Sequence, residues 1–590
     1  MKRICSSIVC LLAGLFACMA VEPSGTLPVL VIETENRQPI ESKETYIRGN
    51  YYLDPKGVEG VEAIGSKDAP LPLQIRGRGN YTWSAFNKKP YRLKLDKKAA
   101  LLGMNSNKHF ALLAHADDNR AFMRNLTGFE VSRMSGLPYT TADQPCEVVL
   151  NGDYKGLYFL TETIRFDKKR INLSNPDDDV EDWLAANPGK TADDYPWTDD
   201  MMNGPWLVEL DNTDDQNQIT VPSQYRGGAE GTDIRVTYKK PEDYVTEKHR
   251  QWLKQEFSEI DNLVYASDNA KGAWLDKIDL TDAARFFIVN QIMGNYESYH
   301  GSCYLTKDRG ADQKWHFGPV WDFGSAFQQT RDVTQWIWEN TPYNQRWIEN
   351  FMNCETFKNE VKRIFTAMNT EGFDRIINYQ NAYAARITAA AKRDAERWNN
   401  DGYGNPDMEK PLKEVQKQLV DAINSFGYKL GIEGFEGVEI GPTADIYLRG
   451  HDYNGWDAMD ANKFTNVGND VYELKMKRLS GEFKLADTSW VKINLGCEAG
   501  KKFDLNKAYK LITRGENISL ASGSADNVTL RLVWKTKELT ITNSTGVQLV
   551  IDGDLENAEI YTLQGVRVQN PVKGNIYILR TAEGARKVVF

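Results

Sequence analysis

Residues 295–327 read NYESYHGSCYLTKDRGADQKWHFGPVWDFGSAF, and the fold is decided in this stretch. An apolar helical run, Leu280–Met293 with Phe286, Phe287, Val289 and Ile292, precedes it. Glu297 and His300 follow the helix. Ser302 to Lys307 then alternates as a strand, and a Gly-containing turn leads to the tetrad Trp321-Asp322-Phe323-Gly324. The order is therefore an acid, a short strand, a turn, and a second acid at a strand end with glycine close behind. Working outward, the front is rich in strands and the rear in helices. Val29–Glu33, Leu73–Arg76, Tyr91–Leu95, Cys146–Leu150 and Leu157–Leu160 read as strands, the last two joined by the turn Asn151-Gly152-Asp153. Residues 119–134 read as a helix, and long helical patterns return between Phe351 and Phe426.

Composition bounds the function. The chain has 590 residues, 41% hydrophobic and 26% charged, which is ordinary for a folded multidomain protein. Its net charge of −10 and the lack of a basic block disfavour a nucleic-acid partner, and none is expected. Fifteen Trp and 27 Tyr suit either large aromatic cores or carbohydrate-facing surfaces. Lys2 and Arg3 followed by apolar Ile4–Met19 and Ala20 read as a signal peptide over residues 1–20. No later stretch spans a membrane, so the chain is expected to be exported, to the cell surface or beyond it. Leu15-Phe16-Ala17-Cys18 offers the alternative of a lipoprotein held through Cys18. Cys146, Cys303, Cys354 and Cys497 have no metal-ligand spacing and read as buried thiols.

The expected organisation is a multidomain α+β chain. Residues 21–430 form one domain with an acidic insertion at about 175–204, read as a solvated loop. Residues 431–441 are a linker. Residues 442–537 read as a small antiparallel β-sandwich and 538–590 as a short β tail.

The chemistry of the front domain points to phosphoryl transfer. Arg76-Gly77-Arg78-Gly79 could cradle phosphates, with glycines allowing backbone approach and arginines adding bidentate charge; a plain hairpin turn explains the same residues. Lys88 and Lys89 lie close behind it, and a kinase needs a lysine on the nucleotide phosphates; a solvated lysine face is the other reading. Glu130 could pair with such a lysine and Glu162 could line the hinge, or each could be structural. Asp322 at a strand end could hold magnesium. Acid, strand, turn and acid is also the order of catalytic and metal-holding carboxylates in a protein kinase, and a β-rich front with a helical rear has the layout of a two-lobed kinase.

Several pieces in order resemble the spore coat protein H (CotH) kinase-like family. They are Arg76–Asn80, Asn87–Arg92, Leu102-Gly103-Met104, Asp118 through Arg124-Asn125, VVLNGDYKGLYFLTETI (Val148–Ile164), VELD (Val208–Asp211) and GPVWDFGSAF (Gly318–Phe327). The resemblance implies an atypical two-lobed kinase fold, ATP with Mg2+ or Mn2+, and transfer of the γ-phosphate to a serine of a protein acceptor. It points at the Lys88–Lys89 pair and makes Lys89 the candidate for the nucleotide phosphates. It implies Asp322 as metal ligand and Glu297 as the group that orients the acceptor hydroxyl. Glu297 stands where the family has an aspartate. Ser302 stands where kinase catalytic loops have a metal-binding asparagine, and Gly324 where many members carry a second acid. These departures leave open a non-catalytic surface protein that binds glycan or protein partners. IYLRGHDYNGW and GEFKLADTSWVKINLG are similar to starch-binding modules of Bacteroidetes outer-membrane proteins. Trp456 and Trp490 are candidates for stacking on a glycan, core packing of the sandwich explains the same residues, and Trp490, inside a strand, is the one read as core. The tail resembles a Bacteroidetes sorting signal for type IX secretion, which favours cleavage of the leader over lipidation of Cys18.

Overall fold

The computed structural model describes residues 21–118, 121–224, 233–328, 330–339, 347–398, 407–439, 441–442, 444–468, 470–543, 548–549, 559–562, 567–568, 576–581 and 584–589. The leader and Cys18 lie outside them. The chain is α+β and divides into two compact units, up to Val438 and from Glu439 onward.

The first unit begins with a closed barrel. Its strands are β1 (Val29–Thr34), β2 (Ile47–Asp54), β3 (Leu71–Gly77), β4 (Tyr91–Ala99), β5 (Asn107–Leu113), β6 (Asp143–Leu150) and β7 (Asp153–Glu162). The order is β1-β2-β3-β4-β5-β7-β6, closed by parallel pairing of β1 with β6. Alternation fills the inside: Leu73 and Ile75 on β3 and Leu93 and Leu95 on β4 are buried, and Arg76 pairs across strands with Arg92 on the outer face. A short helix α1 (Tyr81–Ala85) interrupts the β3–β4 hairpin, and α2 (Arg124–Ser135) follows β5.

The expected acidic loop is instead partly helical. It forms α3 (Pro176–Ala186) and α4 (Asp199–Met202). Three aspartates in the first turn of α3 suit the positive end of the helix dipole, and Pro176 opens it. Buried Asp177 accepts hydrogen bonds from the amides of Glu242, Asp243 and Tyr244 and meets Lys240 at 3.2 Å. The acidity is thus partly structural.

A second sheet, ordered β12-β11-β8-β10-β9, comprises β8 (Trp206–Leu210), β9 (Gln218–Val221), β10 (Ile234–Lys240), β11 (Cys303–Lys307) and the two-residue β12 (His316–Phe317). Around it lie α5 (Glu247–Val264), α6 (Leu280–Met293), α7 (Ile348–Phe351), α8 (Glu355–Glu371), α9 (Asp374–Trp398) and α10 (Glu409–Leu430). Helix α6 is apolar on nearly every side because α2, α8 and α10 all pack on it. Gly431 ends α10 with a left-handed residue, but the chain does not leave as a free linker. Phe435 lies against Gly427, where any Cβ would overlap its ring, and Asn424 bonds both the amide and the carbonyl of Val438.

The second unit holds a four-stranded sheet (Tyr447–Gly450, Phe483–Ala486, Asn494–Gly496, Ile512–Thr513) and a five-stranded one (Thr465–Gly468, Val471–Ser480, Ser524–Val533, Glu538–Asn543, Ala508–Lys510). Residues of both contribute to one apolar core. Glu538–Asn543, expected to open the tail, is instead paired with Ser524–Val533. A separate four-stranded sheet includes Glu559–Tyr561, Ile576–Thr581 and Gly584–Val589. No described helix is long and apolar enough to cross a membrane. Cys146, Cys303, Cys354 and Cys497 are buried thiols, and no disulfide joins them.

Candidate functional site

The tetrad Trp321–Gly324 follows the β11–β12 hairpin and is fastened to α2. Asp322 has φ +58°, in the left-handed region, where a non-glycine residue is held only by its surroundings. Those surroundings are specific. Asn125 Oδ1 accepts from the Phe323 amide at 2.7 Å, Arg124 Nη1 donates to the Gly324 carbonyl at 2.7 Å, and Asn295 Nδ2 donates to the Asp322 carbonyl at 3.3 Å. The Phe323 ring fills the space over Gly128, where a Cβ would overlap it, and meets Phe129 edge-on. The Asp322 side chain itself keeps access to solvent. Arg124, Asn125 and Gly128 share the N-terminal end of α2, and all three serve the tetrad.

Further carboxylates gather around Asp322. Glu297 Oε2 accepts a short hydrogen bond from Ser325 Oγ, and Gly301 leaves room for it, since a Cβ there would stand 2.9 Å from Glu297 Cγ. Glu297 is open to solvent along one edge, yet the protein around it pushes its carboxyl up, and the charges of Asp322 and Asp211 push the same way. Asp117 is half-buried; burial first, then the charges of Asp322 and Asp118, push its carboxyl up to about 6. Asp211, just past β8, accepts from the Thr213 amide at 2.8 Å and is also raised by burial and by Asp322. Glu209 pairs with Lys239 at 3.0 Å and sits across from Tyr304. Ser302 has φ +50° and immediately precedes Cys303, which pairs with Leu210, so continued register sets it opposite Asp211.

The basic residues divide. Arg78 lies over the Trp321 ring at 5.6 Å; burial lowers its pKa and the charge of Asp322 opposes that shift. It belongs to the site. Arg76 faces Tyr46 and Glu44 instead, at 5.0 and 3.8 Å. Gly77 has a packing reason, because a Cβ would overlap Trp83, and Gly79 turns with φ +80° against Thr82. Lys89 Nζ donates to the Trp83 carbonyl at 2.5 Å. Lys88 is fully buried and pairs with Asp394 on α9 at 2.7 Å. Glu130 pairs with Arg133 and Arg375, not with a lysine. Glu162 is buried too, bonded by Tyr139 at 3.0 Å and facing Arg170 at 3.6 Å, which gives it a structural role at the end of β7.

Asp117 is a site residue that the sequence reading does not single out, and Arg124 and Asp211 fall within the pieces that carry the family resemblance but have no role assigned there. A signal exists: Asp117 and Asp211 each lie close behind an apolar strand, as Asp322 does. Asp279, Asp282 and His316 form a separate carboxylate–imidazole group. Asp279 caps α6 and Asp282 is shared between Arg285 and His316, so protein contacts account for that group.

In the second unit, Trp456 and Trp490 lie side by side, ring centroids 6.1 Å apart and tilted by 44°. Both are half-buried in turns with positive φ. Trp490 is not in a strand, as its neighbours suggest; the strand begins only at Asn494. Buried Arg449 carries the pair, its guanidinium 4.1 Å from the Trp490 ring and its Nε bonded to the Trp456 carbonyl at 2.6 Å.

No curated protein matches the chain. The family model described as CotH kinase protein matches residues 74–425, a span from β3 to the end of the helical layer that takes in every site residue of the first unit from Arg76 to Asp322. With more than half its length matched, the chain belongs to the CotH kinase family.

Proposed function

We propose that the first unit transfers the γ-phosphate of ATP to a serine hydroxyl of a protein acceptor, with magnesium or manganese held by Asp322. The observation that carries this reading is Asp322 itself: a left-handed backbone clamped by Arg124, Asn125 and Asn295, and a solvent-accessible carboxylate among other acids. Strain kept at one accessible acid points to use of that acid. The donors are hard oxygens, which fits either ion. Ser302, just before β11, would add its hydroxyl to the ligand set. When bound, such an ion neutralises charge on the phosphate oxygens.

The protein's own groups do the rest. Arg78, beside Asp322, would hold phosphate oxygens; Arg76, Gly77 and Gly79 shape the hairpin above it, and Lys89 would join only by leaving Trp83. Glu297 Oε1 would accept the proton of the acceptor hydroxyl while Ser325 fixes Oε2. The serine oxygen bonds to phosphorus as the bond to ADP breaks. Glu162, expected near the nucleotide, would act only by supporting the barrel edge. A second reading, a non-catalytic binding protein, draws on one observation: both Lys88 and Lys89 are engaged by protein groups.

Mg–ATP should raise the melting temperature of the chain, since a ligand binding only the native state stabilises it, by about 2.7 kcal/mol at a hundredfold excess over Kd. Asp322→Asn should abolish the rise and leave the unliganded melting temperature nearly unchanged. No shift at millimolar ATP with either metal would remove the kinase reading.

The same proposal makes the second unit a β-sandwich that binds glycan on Trp456, and makes the chain an exported surface protein. The half-buried Trp456–Trp490 pair on Arg449 supports a stacking face. Trp456→Ala should lose retardation in an α-glucan affinity gel, a loss of about 1 kcal/mol beyond area burial, with little change in melting temperature. A large fall in stability would show Trp456 to be a packing residue.

A further inference from the structure

We propose that Asp117 supplies a second carboxylate to the divalent cation held by Asp322, with the ion seated between the two carboxylates, in room that glycine at position 324 keeps open. This rests on the kinase reading and adds a ligand to it.

Gly324 is where the two acids converge. A Cβ built there would stand 3.0 Å from Asp117 Oδ2 and 3.1 Å from Asp322 Oδ1. Its φ is not in the left-handed region, so backbone conformation does not require glycine at this position. Space does. A methyl group there would press on both oxygens, and Asp322 Oδ1 is held close by accepting from the Gly324 amide at 3.0 Å. Both oxygens lie within about 3 Å of that one position, so they are no more than about 6 Å apart; an ion bound at about 2.1 Å from each would sit between them, clear of the Gly324 backbone, once side-chain rotation brings them to about 4 Å.

The separation of the two acids is fixed by a shared strut. Arg124 Nη1 donates to the Gly324 carbonyl at 2.7 Å and to the Asp117 carbonyl at 3.4 Å. One guanidinium thus ties the backbone after β5 to the backbone of the tetrad. The neighbouring Asp118 is already used, its Oδ2 accepting from the Arg124 amide at 2.8 Å. Asp117 takes a hydrogen bond from its own backbone amide instead. Among the described residues its carboxylate forms no ion pair, nor does that of Asp322. Two like charges held face to face without a cation are costly, and a divalent ion between them turns that repulsion into attraction.

The test uses the full chain and Mn2+ as probe, reading the free-ion signal by electron paramagnetic resonance, alone and with a non-hydrolysable ATP analogue. Asp322→Asn should abolish binding. Asp117→Asn should weaken it by about tenfold or more, and Gly324→Ala, which removes neither ligand, should weaken it comparably by filling the gap. The exchange Asp117→Ala with Gly324→Asp moves the carboxylate to the other wall and should recover binding relative to Asp117→Ala alone. Unliganded melting temperatures identify any variant that fails to fold, and Gly324→Ala then decides. Wild-type Mn2+ affinity in both Asp117→Asn and Gly324→Ala, with binding lost in Asp322→Asn, would overturn the role of Asp117 and leave the kinase reading standing. No Mn2+ bound by the wild type, with or without nucleotide, would remove both.

Discussion

Replacing Glu297 by glutamine should lower transfer of labelled phosphate from ATP to a serine-bearing acceptor by about 100-fold or more, the size of a positioned general base. Glutamine keeps the length and can still accept from Ser325, so the fold around Gly301 is preserved and only the proton acceptor is lost. Melting temperature should therefore stay near that of the wild type. The companion variant Glu297→Asp separates the two readings of this unit. Aspartate is shorter by one methylene and gives up the Ser325 contact, but it is the side chain expected from the family resemblance. Retained or higher activity in Glu297→Asp supports a carboxylate acting on the hydroxyl. Activity in Glu297→Asp with a silent wild type would identify a degenerate kinase. Equal rates for wild type and Glu297→Gln would take Glu297 out of the mechanism.

The parts of this site that are legible in sequence are those governed by short-range rules. The apolar period of Leu280–Met293 predicts α6, the alternation of Cys303–Lys307 predicts β11, and the glycine after Asp322 marks the loop that follows them. What is hidden depends on long-range meetings. Asp117 and Gly324 come together only because Arg124 bonds both backbones. Glu162 looks available in a strand, but Arg170 and Tyr139 close over it. The glycines of Arg76–Gly79 look like a phosphate cradle, and both have a packing or turn reason in Trp83 and Thr82. Acid-rich α3 reads as a loop when composition is weighed above the preference of helix N-termini for acids. Trp490 reads as a strand residue from its apolar neighbours, although the chain turns there and the ring rests on Arg449.

The deepest of these hidden contacts joins Lys88 to Asp394, and breaking it should be the most destabilising change in the first unit. Both side chains are 1% exposed, 2.7 Å apart, between the barrel and α9. Burial pushes the Lys88 ammonium down and the Asp394 carboxyl up, and each partner offsets part of the other's shift. The pair also completes the backbone of β7: Lys88 Nζ donates to the Leu157 carbonyl at 2.7 Å, and Asp394 Oδ1 accepts from the Leu157 amide at 2.9 Å. Gly156 is needed beside it, since a Cβ would overlap the Asp394 carboxylate. Lys88→Met or Asp394→Ala alone leaves a buried charge without its partner, which costs about 3–5 kcal/mol. Changing both removes the charges together, so the double variant should be destabilised by clearly less than the sum of the singles, by about 1–3 kcal/mol of coupling. It should still fall below the wild type, because the Leu157 amide and carbonyl lose their partners. Urea unfolding of the four proteins measures the cycle. Additive costs would mean that the two side chains act independently. A Lys88→Met chain of wild-type stability that no longer binds ATP would instead return Lys88 to the nucleotide site.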